Sequence, residues 1–504
     1  MSGLAILVLA ILLAGTALRS ARAFWAYRYL RRPPHRPPPG EPFVILLPAY
    51  REQGMVAETL AHFAALEYPP ELVRIVVVTS DRERLEYEAL SASLPEFTAR
   101  LWRAVSGREP MTDELLTGHL PGAAVRTLLA EPATDAAELA RRVARERARW
   151  GVTADVVEAR AAEINRELGV PLIRQVCAPP GYRHKAGQLR RAFEVLDEAL
   201  RDWPALPRCR YVAVYDFDSR PHPDTLWAAA RAGASGAALL QQPALTVPCP
   251  RPGASAGDVL FTHVEALMHT RHALTVELAG LLVDARLAAL PPVGRTLLRS
   301  GVHTVGIGLF IDRAQLGALG GVPEVVDDLP LGWRAALTGA TVASVARPVT
   351  YQAYQSPGQA KRSRAFVFEA YLRASRELGP AAPWAVAVQR LRIARSALAW
   401  LTGPYPRLAL WALAATVAPI PTAATVLVCY LLVVADVATV HRLWRAERVP
   451  VAAGAAMRLA ATLVAAAQPL WRGSGPRSAV LRRLRRNRAG TSGITSAVTQ
   501  KTER

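Results

Sequence analysis

The chain has 504 residues, 51% of them hydrophobic and 20% charged, with a formal net charge of +20. That composition excludes a disordered chain, and the length asks for two or more structural units. A basic balance suits nucleic acid, an anionic lipid surface or a polyanionic ligand. Here nearly every cation is Arg, and Lys occurs only at Lys185, Lys361 and Lys501. A skew of that kind follows nucleotide composition. With no C2H2 spacing and no RNP-like aromatic motif, nucleic acid is not an expected partner. Cys177, Cys209, Cys249 and Cys429 are scattered with no CxxC pair, so buried free thiols are expected rather than a zinc site or a disulfide framework.

Residues 1–22 form the first element, with an uncharged apolar run over 4–18. The run is short for a span of about 20 residues. Arginines follow it and none precede it, which favours a signal anchor with the rest of the chain in the cytoplasm. A cleaved signal peptide is the rival reading, because Ala21-Arg22-Ala23 looks like a cleavage site. Residues 23–41 then read as a basic, Pro-rich linker containing PPHRPPPG, and stiff for that reason.

FVILLPAY (43–50) is a buried strand ending at Pro48. The helical spacing of Val56, Leu60, Phe63 and Leu66 follows it, and RIVVVTS (74–80) is a second strand. Strand, helix, strand is a βαβ unit and implies a parallel sheet. Segments 170–178 and 211–217 repeat the strand pattern, while about 84–168 is a charged, Ala-rich helical insertion. The fold class is therefore α/β, a mixed, mostly parallel sheet with a helical insertion. In such sheets ligands bind beyond the carboxyl ends of the strands. The segments after each strand, Pro48–Glu52, Thr79–Asp81 and Asp216–Asp218, carry the most weight.

Asp216 and Asp218 at one strand end repel each other and call for a cation between them. Mg2+ or Mn2+ fits such oxygen ligands, with the shell completed by the phosphates of a substrate. An Asx turn before Pro221 explains the same residues without a metal. So does an aspartyl phosphohydrolase, although Arg220 stands where that class usually has Thr or Val. Lys185 lies in a turn before a helix, where a compact ammonium serves and Arg does not, or where drift has left one of three lysines. Gly187 beside it permits close backbone approach. Asp327 and Asp328 open a helical segment, either as N-caps or with one of them as a general base.

Near the C-terminus, 376–404 reads as interfacial helices and 405–440 as a membrane hairpin turning at Pro419 and Pro421. Asp436 inside it is a bundle-facing polar group or lies near the interface. Residues 441–471 are a basic segment and then an interfacial helix or another span, and 472–504 is a basic tail.

Taken in order, ILLPAYRE, VVVTSDRE, HKAGQL, YDFDSRP, VGIGLF and VDDLPLGWR resemble the membrane-associated family-2 glycosyltransferases over residues 42–375. The resemblance implies a GT-A domain, a nucleotide-sugar donor, Mg2+ or Mn2+, and inversion at the anomeric carbon. By resemblance, Asp216 and Asp218 look like the donor and metal carboxylates, and Asp328 like the general base with Asp327 beside it. Lys185 looks like a diphosphate contact, and Pro48, Ala49, Glu52 and Asp81 like the nucleotide pocket. Arg362 or Arg364 falls where the cellulose- and hyaluronan-synthase-like branch has QxxRW, but no Trp follows. The aromatic platform is then missing, or supplied elsewhere by Phe366 or Trp333, which speaks against a processive synthase. The implied protein sits in the cell membrane, multi-pass, with a cytoplasmic catalytic domain and a lipid-linked or membrane-proximal glycan acceptor at the bilayer. A catalytically degenerate sugar-nucleotide-binding scaffold remains the alternative.

Overall fold

The computed structural model describes residues 2–32, 40–109, 133–182, 184–250, 253–287, 289–299, 304–323, 328–353, 381–402, 405–449 and 454–471, with a few isolated residues between them. The chain divides into two compact units, 38–226 and 1–37 with 227–504. The boundary falls inside the single domain expected over 42–375.

The chain opens with helix α1, Ser2–Leu30. It runs well past the apolar stretch and through Arg19, Arg22 and Arg28, so residues 23–30 of the expected linker are helical, while most of its Pro-rich part lies outside the described residues. Gly3–Leu30 is long and apolar enough to cross a bilayer, with mean hydropathy 2.1, and only 11% of its most apolar stretch is buried.

In the 38–226 unit, β1 (Phe43–Pro48) is buried at every residue, and so is β2 (Val73–Ser80). Runs buried on both faces are what a central parallel sheet requires. Between them α2 (Val56–Ala64) buries Val56, Thr59, Leu60 and Phe63. β3 (Ile173–Ala178) and β4 (Tyr211–Val214) complete the order β3-β2-β1-β4, all parallel. The insertion begins directly at the end of β2 and supplies α3 (Asp81–Val105), α4 (Ala136–Trp150) and α5 (Thr153–Leu168). Residues 110–127 of it lie outside the described residues. α6 (His184–Ala199) follows β3.

In the other unit, β5 (Leu239–Gln241) pairs antiparallel with β7 (Leu309–Asp312) and parallel with β8 (Val342–Ser344). β6 (Ala244–Val247) pairs parallel with β9 (Val349–Gln352). Between β6 and β7 lies a helical run that the sequence reading left out. It comprises α7 (Ala256–His272), a π-helical turn (Ala273–Leu278), α8 (Ala279–Leu287) and α9 (Pro292–Leu298). α10 (Leu329–Thr338) precedes β8, and α11 (Pro383–Thr402) falls where interfacial helices are expected. α12 (Tyr405–Val417) and α13 (Pro419–Ala446) meet at Ala418, so the proline-marked break is present. The arms are unequal. Thirteen residues of α12 rise about 20 Å, short of a bilayer core, while α13 has mean hydropathy 2.2 and is long enough to cross. α14 (Ala455–Trp471) is a shorter apolar helix.

One apolar cluster joins α1, α7, α13 and α14 through Ala26, Leu30, Leu267, Val440, Trp444 and Ala461. Beside it Asp436 meets Arg271, whose Nε and Nη2 lie 2.9 and 2.8 Å from its Oδ2. Asp436 thus faces the bundle, and its side chain is 3% exposed. All four cysteines are free, but Cys177, expected buried, is exposed. Trp333 is 1% exposed and packs on Tyr371, so it belongs to a core rather than to a binding platform.

Removing one member of a buried pair strands the other charge. D436L is expected to destabilise the protein by about 3 kcal/mol, and R271L/D436L to recover most of that loss. Melting of the three detergent-purified proteins measures both effects.

Candidate functional site

At the carboxyl ends of β1, β2 and β4 lies a cavity of about 410 Å3. Pro48, Glu52, Lys185, Asp216 and Asp218 all line it, so most of the expected donor residues converge. Tyr50, Ser80, Arg82, Tyr182, His184 and Gln188 also line it. Ala49 and Asp81 do not. Ala49 is fully buried and acts through its backbone, donating to Val78 O at 2.9 Å and accepting from Gln188 Nε2 at 3.0 Å. Gln188 also donates to Val78 O at 3.0 Å, so one buried amide ties two strand ends to α6. Asp81 begins α3 and accepts from the Cys177 thiol at 2.9 Å.

A turn just past β4, closed by Ser219 N donating to Asp216 O at 3.0 Å, carries the aspartate pair. Phe217 between the two is 3% exposed, and its carbonyl accepts the Thr59 hydroxyl at 2.8 Å. The flanking carboxylates stay half-buried on the cavity wall. Lys185 Nζ stands 2.6 Å from Asp216 Oδ1, at the first turn of α6. Gly187 is required for a local reason. A Cβ there would lie 2.8 Å from the Tyr182 carbonyl carbon, so the close approach is to the chain's own turn.

The loop after β1 is held by Glu83, a buried carboxylate to which the sequence reading gave no role. Its Oε2 accepts from Arg51 N at 2.9 Å, and its Oε1 from Gln53 Nε2 at 2.6 Å and from Thr153 N and Oγ1 at 2.9 and 2.8 Å. Arg51 at φ 61 and His184 at φ 62 occupy left-handed backbone on either side of the cavity. Non-glycine residues hold such geometry only where their surroundings over-determine it. The guanidinium carbons of Arg51 and Arg82 each lie 5.5 Å from the Tyr50 ring centre.

The electrostatics are unbalanced. Burial pushes the Glu52 carboxyl up to about 7, and Asp218, Asp216 and Glu83 add to the shift in that order. One ammonium at Asp216 leaves enough negative potential to hold a proton on Glu52 near neutrality. That donor set fits a divalent ion. Among the described residues no group of three or more His, Cys, Asp or Glu side chains is placed to cage one. An ion here would rest on one or two carboxylates and take its other oxygens from water and phosphate, as Mg2+ commonly does.

Asp328 belongs to the other unit. It stands at the N-terminus of α10, its Oδ1 accepting from Leu329 N at 2.6 Å and its Oδ2 from Gly306 N at 2.8 Å. Its carbonyl accepts the Thr304 hydroxyl at 2.6 Å. The capping role is therefore real, and it also secures the VGIG loop. Gly308 in that loop has φ +66, and a Cβ would come within 2.6 Å of Gln242 Cβ. Glu277 in the π-helical turn is the residue that sequence reasoning missed. Burial, and then the Asp328 carboxylate, push it up to about 7. His272 Nε2 lies 3.8 Å from it, five residues earlier, a pairing that the wider π turn brings about. Asp327, Arg362, Arg364 and Phe366 lie outside the described residues.

No family model matches the chain, and no curated protein matches it. Among solved structures, it is similar to the mannosyltransferase PcManGT from Pyrobaculum calidifontis in complex with GDP-Man and Mn2+. That likeness has 18% identity and a TM-score of 0.37, over 92% of this chain and 98% of that one. It is also similar to residues 1–349 of S. aureus TarS in complex with UDP-GlcNAc, at 12% identity and a TM-score of 0.34, over 85% of this chain and 91% of that one. The first is a mannosyltransferase by its description, and the second is described with UDP-GlcNAc bound. Likenesses of this size decide neither the fold nor the activity of this chain.

Glu52 gives a pH signature. The folded protein holds its proton up to about 7, against 4.5 for an ordinary glutamate, so the cost of ionising it is absent below 4.5 and complete above about 7. In EDTA, E52Q is expected to gain about 2 kcal/mol over wild type at pH 8 and nothing at pH 4.5. Thermal melts across that range read the difference.

Proposed function

We propose that the protein is an inverting glycosyltransferase that moves a sugar from a nucleotide-diphosphate sugar to a hydroxyl acceptor at the cytoplasmic membrane face. The observation that carries this reading is the 410 Å3 cavity, where Glu52, Asp216 and Asp218 face Lys185 and Arg82. Carboxylates with an ammonium and a guanidinium in one cavity suit a metal-bound diphosphate. Tyr50, with two guanidiniums near it, offers a ring on which a base stacks. The ordered motifs of the sequence point the same way.

In this reading Asp218, with Asp216, would hold Mg2+ or Mn2+, which neutralises charge on a leaving diphosphate. Lys185 shares that load, with Arg362 or Arg364 as a further cation. Pro48, Ala49 and Asp81 shape the nucleotide end, Ala49 through its backbone and Asp81 from the first turn of α3. Asp328, with Asp327 beside it, takes the proton of the acceptor hydroxyl. Glu277 is the nearby carboxyl whose titration near 7 tunes that base. The acceptor is lipid-linked or membrane-proximal, for a cell-envelope glycan or glycolipid. A multi-pass membrane location is supported by the outward-facing apolar surface of α1, where Leu4, Ile6, Leu7 and Ile11 are all more than half exposed.

A second reading is favoured by the Lys185–Asp216 contact at 2.6 Å. The ammonium already meets one carboxylate, as it would in a protein that binds a sugar nucleotide without metal or turnover. The two readings part in one experiment. For the transferase, a nucleoside diphosphate is expected to raise the melting temperature only with Mn2+, and D218A is expected to abolish the shift. A shift indifferent to EDTA supports the metal-free binder.

The base is tested separately. D328N is expected to lower kcat by about a hundredfold or more while leaving donor affinity unchanged, read as product formed by radiolabel from the donor that gave the thermal shift. Full turnover in D328N would remove Asp328 from the mechanism.

A further inference from the structure

In the unit formed by 1–37 and 227–504, a second cavity of about 370 Å3 lies between α1, α8, α9 and α11. Four guanidiniums line it, those of Arg22, Arg299, Arg392 and Arg395. Arg299 is 3% exposed and structurally committed. Its Nη2 lies 2.8 Å from Asp284 Oδ2, its Nε also bonds that carboxylate, and it donates to the carbonyls of Ala336 at 3.0 Å and Ala340 at 2.9 Å. The Asp284 carboxylate is thereby spent. Arg392 Nη2 donates only to carbonyls, Thr296 O at 2.6 Å and Leu297 O at 3.0 Å. Burial holds its guanidinium below the usual range, and Arg395 and Arg299 push it further down. Arg22 and Arg395 have no ion pair among the described residues.

Like charges gathered around one half-enclosed space cost free energy unless an anion joins them. The rim says what kind of anion. Leu297 and Leu298 on α9 line the cavity and are 56% and 62% exposed, and on α11 Leu391 and Leu398, near Arg392 and Arg395 in sequence, are 72% and 57% exposed. Arg22 sits on the apolar helix α1, past its uncharged stretch. Cations inside an apolar rim, beside a helix able to cross a bilayer, complement a phosphate that carries hydrocarbon.

We propose that this cavity is a binding site for the phosphate headgroup of an anionic membrane lipid, seated among Arg22, Arg392 and Arg395, with its chains against the leucines of α9 and α11. Arg299, clamped to Asp284 and to the end of α10, forms the floor. The site is separate from the strand-end cavity and stands whether or not the chain transfers sugar.

The test is binding of dihexanoyl-phosphatidic acid to the full chain in an uncharged detergent, measured by calorimetry. R22Q/R395Q removes two guanidiniums that make no hydrogen bond among the described residues, so its unliganded melting temperature is expected to match or exceed wild type. Its Kd for dihexanoyl-phosphatidic acid is expected to rise at least tenfold. R442Q/R445Q, which removes equal charge from α13, is expected to leave Kd unchanged. Dihexanoyl-phosphatidylcholine and inorganic phosphate are each expected to bind at least tenfold more weakly than the anionic lipid. Unchanged affinity in R22Q/R395Q overturns the proposal, as does equal loss in R442Q/R445Q, which would make the attraction diffuse. Inorganic phosphate binding as tightly as the lipid would overturn it too, since the leucines would then contribute nothing.

Discussion

The Glu83 carboxylate is the constraint on which the strand-end cavity depends. It leaves water at the first turn of α3 and is repaid by four hydrogen bonds, from Arg51 N, Gln53 Nε2, Thr153 N and Thr153 Oγ1. A buried carboxylate with fewer donors would be strongly destabilising. With all four it locks the loop after β1 to the start of α5, and its charge also faces the positive end of that helix. Arg51 can then be held at positive φ, and Glu52, the next residue, is aimed at the aspartate pair. The helical insertion is thus part of how the site is held, since one of its helices supplies Thr153.

That arrangement explains why the cavity concentrates negative charge instead of dispersing it. β4 delivers Asp216 and Asp218 with Phe217 buried between them, and the Glu83 network delivers Glu52 opposite. The bond from Thr59 to Phe217 O holds the backbone between the two aspartates in place. Preorganised like charges of this kind are a means of binding cations and of matching a diphosphate.

Much of this was legible in the sequence, for identifiable reasons. FVILLP is apolar throughout, and VRIVVVTS is apolar but for Arg74, Thr79 and Ser80; such near-continuous runs suit a doubly covered parallel sheet, so β1, β2 and their carboxyl ends could be placed. Asp216, Asp218 and Lys185 carry their own chemical signal. Glu83 and Glu277 do not. Each is a lone Glu in a helical stretch, ordinarily solvated, and what makes it special is burial by residues far away in the chain. The run from α7 to α9 was missed because helices buried on several faces lose the amphipathic period that reveals surface helices. Trp333 was misjudged from type alone, since an aromatic near a motif looks like a platform until its packing on Tyr371 is seen.

The arginine skew, which first looked like background, resolves into two populations. Some guanidiniums meet a buried carboxylate one to one, as Arg271 meets Asp436 and Arg299 meets Asp284. Those pairs fasten helices together and add no net field. Arg22, Arg392 and Arg395 line one cavity, have apolar neighbours and add up their potential. A protein can afford such a cluster only where something else supplies the counter-charge. Three guanidiniums are a small part of a formal net charge of +20, so it is their gathering around one cavity, not the total, that calls for an anion.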